Sequence, residues 1–174
     1  MPHLSENSPR KPLYTPEQRA RRDATRWTVV QGILAPVQFL ACAVSVVLVL
    51  RFLATGEGYG AATLSILLKT LLLYSIMVTG AIWEKVVFGQ YLFAPAFFWE
   101  DVFSFGVIGL HTIYLWALWT GALSPAGQML VALAAYAAYA VNAAQFLWKL
   151  RMARREAGAD DRAPAVLMAK GEVA

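Results

Sequence analysis

Four apolar runs decide what this chain can fold into: Val29–Leu53, Ala61–Trp83, Val102–Trp119 and Gln128–Trp148. At about 1.5 Å per residue, each is long enough to cross roughly 30 Å of hydrocarbon as a helix. Lipid offers no partner for backbone N–H and C=O groups, so runs of this length are predicted to be helices. The expected fold is an all-α integral membrane protein: a four-transmembrane-helix bundle with a short N-terminal interfacial helix. Composition agrees, because 59% of the 174 residues are hydrophobic, well above the share in an ordinary soluble domain. The first run follows a polar, arginine-rich segment and is too long for the core of a signal peptide. The expected organisation is a cytoplasmic N-terminal segment over 1–28, a membrane domain over 29–149 and a disordered cytoplasmic tail over 150–174.

The net charge is +4, and its placement matters more than its size. Arg10, Lys11, Arg19, Arg21, Arg22 and Arg26 precede the first run; Lys149, Arg151, Arg154, Arg155, Arg162 and Lys170 end or follow the fourth. An even number of spans puts both termini on one side, and the positive-inside rule makes that side cytoplasmic. Topology explains these charges without nucleic acid. The loop Trp83–Asp101 then faces the cytoplasm as well. Cys42 is the only cysteine, which leaves no intramolecular disulfide and no cysteine metal site. Its small and apolar neighbours suit a packed core thiol.

Local signals refine the outline. Thr15 suits an N-cap, Pro16 the first helical position and Gln18 the closing residue of a capping box. A basic helix to about Trp27, lying at the membrane surface, is expected. Pro36 predicts a kink in the first span rather than a break. The second helix should run on to about Val87, with Gly89 and Pro95 breaking it. The uncharged aromatic stretch YLFAPAFFW should then lie in the interface or fold back on the bundle. No internal repeat suggests a transporter.

The chemistry-bearing residues fall inside the apolar runs or at their edges. Lys69 lies deep in the second and His111 deep in the third, where a charge costs roughly 2.5–3.5 kcal/mol on insertion scales. The middle loop adds Glu84, Glu100 and Asp101. Glu100, Ser104 and His111 share one helical face, and Tyr136, Tyr139, Asn142 and Gln145 form an i, i+3 ladder. Gln31, Gln38, Ser75 and Thr79 join them in the same half, whereas the outer half is almost purely apolar apart from Ser45 and Ser65. The pattern predicts a pocket open toward the cytoplasm, with a polar mouth and an ionisable floor. Each residue also has an ordinary reading. Amides and hydroxyls in spans often only tie helices together. Lys69 can pair with a buried carboxylate or carbonyl, His111 can be a satisfied core histidine, and the carboxylates can serve interfacial ion pairs or a helix dipole.

Several classes are excluded. With two histidines, one of them the tail residue His3, a bis-histidine haem or multi-histidine metal site is not expected. There is no phosphate-binding glycine loop and no nucleophile elbow. A carboxylate in an aromatic, dry setting can hold a proton for general acid work. Broad apolar walls rich in Trp, Phe and Tyr suit a large flat ligand.

The segments LYTPEQRARRD, VQGILAPVQFL, RFLATGEGY, TGAIWEKVVFGQYLFAPAFFWEDVFS and YAVNAAQF carry a resemblance. Over about Leu13 to Lys149 the chain resembles the 3-vinyl bacteriochlorophyllide hydratases of anoxygenic phototrophic bacteria. The resemblance implies addition of water across the C3-vinyl group of a chlorophyllide, giving a 3-(1-hydroxyethyl) group, before the pigment's long alcohol tail is attached. It implies no organic cofactor and no metal of the protein's own. The implied partners are the pigment, the lipid bilayer and neighbouring pigment-synthesis enzymes, in a bacterial inner or intracytoplasmic photosynthetic membrane.

The resemblance brings no catalytic residues with it, so their assignment rests on chemistry. Hydration needs a proton donor, a base, a placed water and a dry wall. Glu100, beside the aromatic run, is the candidate acid and Glu84 the candidate base, with Asp101 next and Lys69 as the group that holds a carboxylate ionised. His111, Gln38, Thr79, Ser104, Tyr139 and Asn142 are the candidate pigment-binding residues, His111 as a ligand to the pigment's magnesium or a proton relay. The competing class is a non-enzymatic pigment- or quinone-binding assembly protein, which composition alone does not separate from the enzyme.

Overall fold

The structure, a computed structural model, describes residues 13–160. The polar start of the chain, His3 and the end of the expected tail lie outside them. The described residues form five helices and no strand: α1 (Pro16–Ala24), α2 (Arg26–Thr55), α3 (Tyr59–Phe88), α4 (Phe98–Thr120) and α5 (Pro125–Asp160). The last four are long and apolar enough to cross a bilayer.

Local chemistry sets the boundaries. The α1 capping box forms, with the Gln18 N–H donating to Thr15 Oγ1 at 3.3 Å and the Thr15 N–H to Gln18 Oε1 at 2.9 Å. The helix stops three residues before Trp27, because Thr25 turns extended and caps α2 through the Trp27 N–H. Pro36 sits inside α2, which continues through it. Helix α3 ends at Gly89, whose φ of 89° is a conformation that only glycine adopts without strain. Helix α5 runs past Lys149 to Asp160, beyond the expected end of the membrane domain.

Helix α2 packs along α3 and α4 along α5, and the two hairpins meet mainly through α2 and α5. The core holds Val49, Ile66, Val107, Tyr114 and Met129. A second cluster, built on Tyr14, Val87, Phe97 and Ala153, caps the bundle end that carries α1. Burial is inverted relative to a water-soluble domain. Leu40, Val47, Leu71, Trp116 and Trp119 are exposed, whereas Lys69, Glu84, Glu100, Asp101 and His111 are buried. Such broad apolar exposure marks a surface meant for lipid.

Candidate active site

The site begins with a turn. After Gly89 the chain folds back, and Phe93 takes a left-handed φ of 59°. That conformation costs a non-glycine residue on the order of 1–2 kcal/mol. The turn aims two successive amides at two carboxyl groups. The Phe93 N–H donates to Asp101 Oδ2 at 2.6 Å, and the Ala94 N–H to Glu84 Oε2 at 3.2 Å. The Phe97 N–H closes the turn on the Ala94 carbonyl at 2.7 Å.

Glu84, near the end of α3, and Asp101, in the first turn of α4, are thus brought together, each held by one of the turn's two amides. Two carboxyl groups placed together in a water-poor setting can share one proton. Glu100 points elsewhere. Its Oε2 accepts from Lys149 Nζ of α5 at 2.6 Å. The expected meeting of Glu84 with Glu100 is thus a meeting of Glu84 with Asp101, with Glu100 as the ionised neighbour of both.

Aromatic rings seal this end. Phe97 contacts Trp83, Phe88 and Phe146, with centroid separations of 5.7, 5.9 and 5.9 Å. Helix α1 delivers Tyr14, which stacks on Phe88 at 5.8 Å under the Arg22 guanidinium. Burial pushes the Tyr14 phenol up from its ordinary range, with Arg22 acting in the opposite direction. The α1–α2 corner is pinned to α3 by Trp83 Nε1, which donates to Thr28 Oγ1 at 2.9 Å.

Beside the carboxyl cluster, between α4 and α5, lies a mostly apolar cavity of about 440 Å³ lined by Glu100, Val141, Ala144, Gln145, Trp148 and Lys149. One turn deeper, Asn142 Nδ2 donates to Ser104 Oγ at 2.8 Å. The Asn142 and Gln145 side-chain oxygens are buried without a partner. Gln31 and Thr79 pair with each other between α2 and α3 at 2.7 Å, away from this cavity.

Lys69 and His111 occupy the middle of the bundle. Lys69 Nζ lies 3.9 Å from the centre of the Tyr139 ring. With its amide turned to satisfy both ends, Gln38 can accept from Lys69 Nζ at 3.2 Å and donate to the Leu72 carbonyl at 3.2 Å. Among the described residues no carboxylate forms an ion pair with Lys69. His111 Nδ1 bonds the Val107 carbonyl at 2.9 Å, and Nε2 is buried without a partner. The outer half is more polar than the sequence suggests, because Tyr136 of the ladder bonds Ser45 at 2.6 Å and Ser45 bonds Ser65 at 2.7 Å.

The residues that sequence reasoning missed are Lys149 and the amides of Phe93 and Ala94. Lys149 left a signal: 142, 145 and 149 stand three and four apart, on the same face as the ladder. The amides left none, since nothing in the residue types marks Phe93 for a left-handed conformation.

A family model described as 2-vinyl bacteriochlorophyllide hydratase matches residues 14–152. The chain belongs to this family. The match runs from Tyr14 of the aromatic cap past Lys149, so it takes in every residue of the candidate site. A 2-vinyl bacteriochlorophyllide hydratase from Rhodobacter capsulatus is 71% identical over 167 residues, covering 96% of this chain and 97% of the relative. One from Cereibacter sphaeroides is 76% identical over 155 residues, covering 88% of this chain and 96% of the relative. No solved structure matches the chain.

Proposed function

We infer that the chain adds water across the vinyl group of a bacteriochlorophyllide, as the names of its relatives state for them. The 2-vinyl of those names and the C3-vinyl of the sequence analysis are one substituent in two ring numberings. The observation that carries the mechanism is the Glu84–Asp101 carboxyl pair on the 93–94 amides, beside the Glu100–Lys149 ion pair. The pair can hold a proton in a water-poor place and Glu100, paired with Lys149, can accept one, so a donor and an acceptor stand side by side. The pair's proton goes to the terminal vinyl carbon. The adjacent carbon then carries cationic character spread into the macrocycle, and water attacks it. Glu100 takes the proton that the water releases, and its return to the pair restores the starting state. The sequence reading gives Glu100 the acid's part and Glu84 the base's; the Lys149 ion pair favours the reverse.

His111 sits eleven residues beyond Glu100 on α4, about 16 Å along the helix. The magnesium at the macrocycle's centre lies well short of that distance from the vinyl group at its edge. One pose therefore does not put magnesium on His111 and the vinyl group on the carboxyl cluster. Proton transfer requires the cluster, so His111 and Lys69 belong to the packed middle of the bundle. Purified protein incubated with the vinyl pigment should give a product heavier by one water, and His111→Phe should give it at a similar rate. No mass gain with wild type would favour the pigment-binding alternative. Loss of turnover in His111→Phe with the fold intact would return the site to the bundle centre.

The same reading puts both termini on the cytoplasmic side of a bacterial inner membrane, with α1 at its surface. The charge asymmetry supports it: α1 carries Arg19, Arg21 and Arg22, and the short loop 56–58 holds only Glu57. Single cysteines placed at 55–58 and 124–127, in a Cys42→Ala background, should react with an impermeant thiol reagent from the outside. Labelling of positions 90–92 from that side instead would overturn the orientation.

A further inference from the structure

We propose that the cavity between α4 and α5 is a carboxylate site in which Lys149 holds the free propionate of the pigment. The proposal rests on the hydratase reading and names the substrate feature that this wall of the site recognises. An ammonium has three donors, and Lys149 spends one of them, on Glu100 Oε2 at 2.6 Å. Its flank lies against the Phe97 ring, with Nζ 5.1 Å from the centroid. The side chain is about a quarter exposed, whereas that of Glu100 is 8% exposed. Lys149 is also one of the residues that line the cavity.

The cavity is an open groove along α5, with Glu100 of α4 at its edge, and it can take one edge of a flat molecule. Its 440 Å³ lies within the range of small-molecule sites, roughly 300–1,000 Å³. Val141, Ala144 and Trp148 make its walls mostly apolar, and Lys149, Gln145 and the Trp148 indole N–H are the donors on its lining. Apolar walls with one cation suit an amphiphile that carries one anion. The cavity also opens at the bundle end that carries α1, where the anion of a membrane-bound pigment can stay near water while its ring enters the bundle.

Glu100 gives the arrangement a second property. It occupies Lys149 when no pigment is bound, so it competes with the incoming carboxylate. Its other oxygen remains free to meet the water beside the vinyl group. One ammonium then bridges two anions, which fixes the pigment's carboxylate edge relative to the base.

The test compares the vinyl pigment as free acid with its methyl ester, on the full chain in lipid nanodiscs. Binding is read from the pigment's absorption and hydration from the mass gain. Wild type should bind the acid about tenfold or more tighter than the ester, the scale of a hydrogen bond to a charged group. Lys149→Met should bind the two alike, Lys149→Arg should keep the preference, and Glu100→Gln should bind the acid at least as tightly as wild type does. No preference in wild type, as would follow if a lipid filled the cavity, overturns the proposal. So does a preference that survives in Lys149→Met. If Lys149→Met does not fold, Glu100→Gln decides: weaker binding of the acid counts against the site and unchanged or tighter binding for it. Equal binding of acid and ester with both hydrated removes the carboxylate site and leaves the hydratase reading intact. A clear preference with neither hydrated does the opposite.

Discussion

Glu84→Gln should lower vinyl hydration by about 10²–10⁴-fold, the usual contribution of a general acid, with pigment binding close to wild type. The substitution isolates the proton. A glutamine at 84 can still accept from the Ala94 N–H and can donate its amide hydrogen to Asp101, so the turn keeps both of its bonds to side chains. What it cannot do is release that hydrogen to carbon. Asp101→Asn should behave in the same way, since the Phe93 N–H keeps an acceptor. The two carboxyl groups act as one unit, so the double variant should be little worse than either single one. Turnover is measured by the water mass gain and binding by absorption. Hydration near the wild-type rate in either single variant would remove the pair from the chemistry and move attention to Glu100.

Phe97→Ala should be the most destabilising single change at this end of the bundle, by about 3–5 kcal/mol, the usual cost of emptying a buried phenylalanine site. Phe97 is 2% exposed and touches rings from α3, from α5 and from the segment leading into α1. No neighbouring backbone can close the gap, because the turn is already pinned by the Phe97 N–H on Ala94. Unfolding in mixed micelles reads the stability. Phe97→Leu should recover much of it, and its residual turnover reports how well the turn still presents its amides. Phe97→Ala with wild-type stability would mean that the aromatic cap lies on the surface and not in the core.

How much could be read without coordinates follows from the kind of signal each element carries. The helices were legible because their length and apolarity leave no alternative in lipid, and Gly56, Gly89 and Gly121 mark their ends as left-handed caps. Glu84, Glu100 and Asp101 were legible because charge beside apolar runs is costly. Their pairing was not. Glu100 and Asp101 are neighbours about 100° apart on α4, and which of them meets Glu84 depends on how the 89–97 turn delivers that helix. Lys149 was counted among the charges that set topology, which hid its contact with Glu100 across 49 positions. Lys69 was matched to a carboxylate by charge alone. The bundle instead puts it at a different depth from the acids, where an amide and the Tyr139 ring surround it.

The carboxyl cluster draws its parts from the chain at very different times. Glu84, the 93–94 amides, Glu100 and Asp101 all lie between 84 and 101, so one helical hairpin carries them. Lys149 stands near the far end of α5. A chain made from its N-terminus inserts the hairpin first. Until the final span arrives, Glu100 shares that corner with two other acids and lacks the ammonium it pairs with in the finished bundle. Completion of the last helix is thus the step that brings Lys149 to Glu100. A chain cut short before Lys149 would hold every acid of the site and lack the charge separation between them.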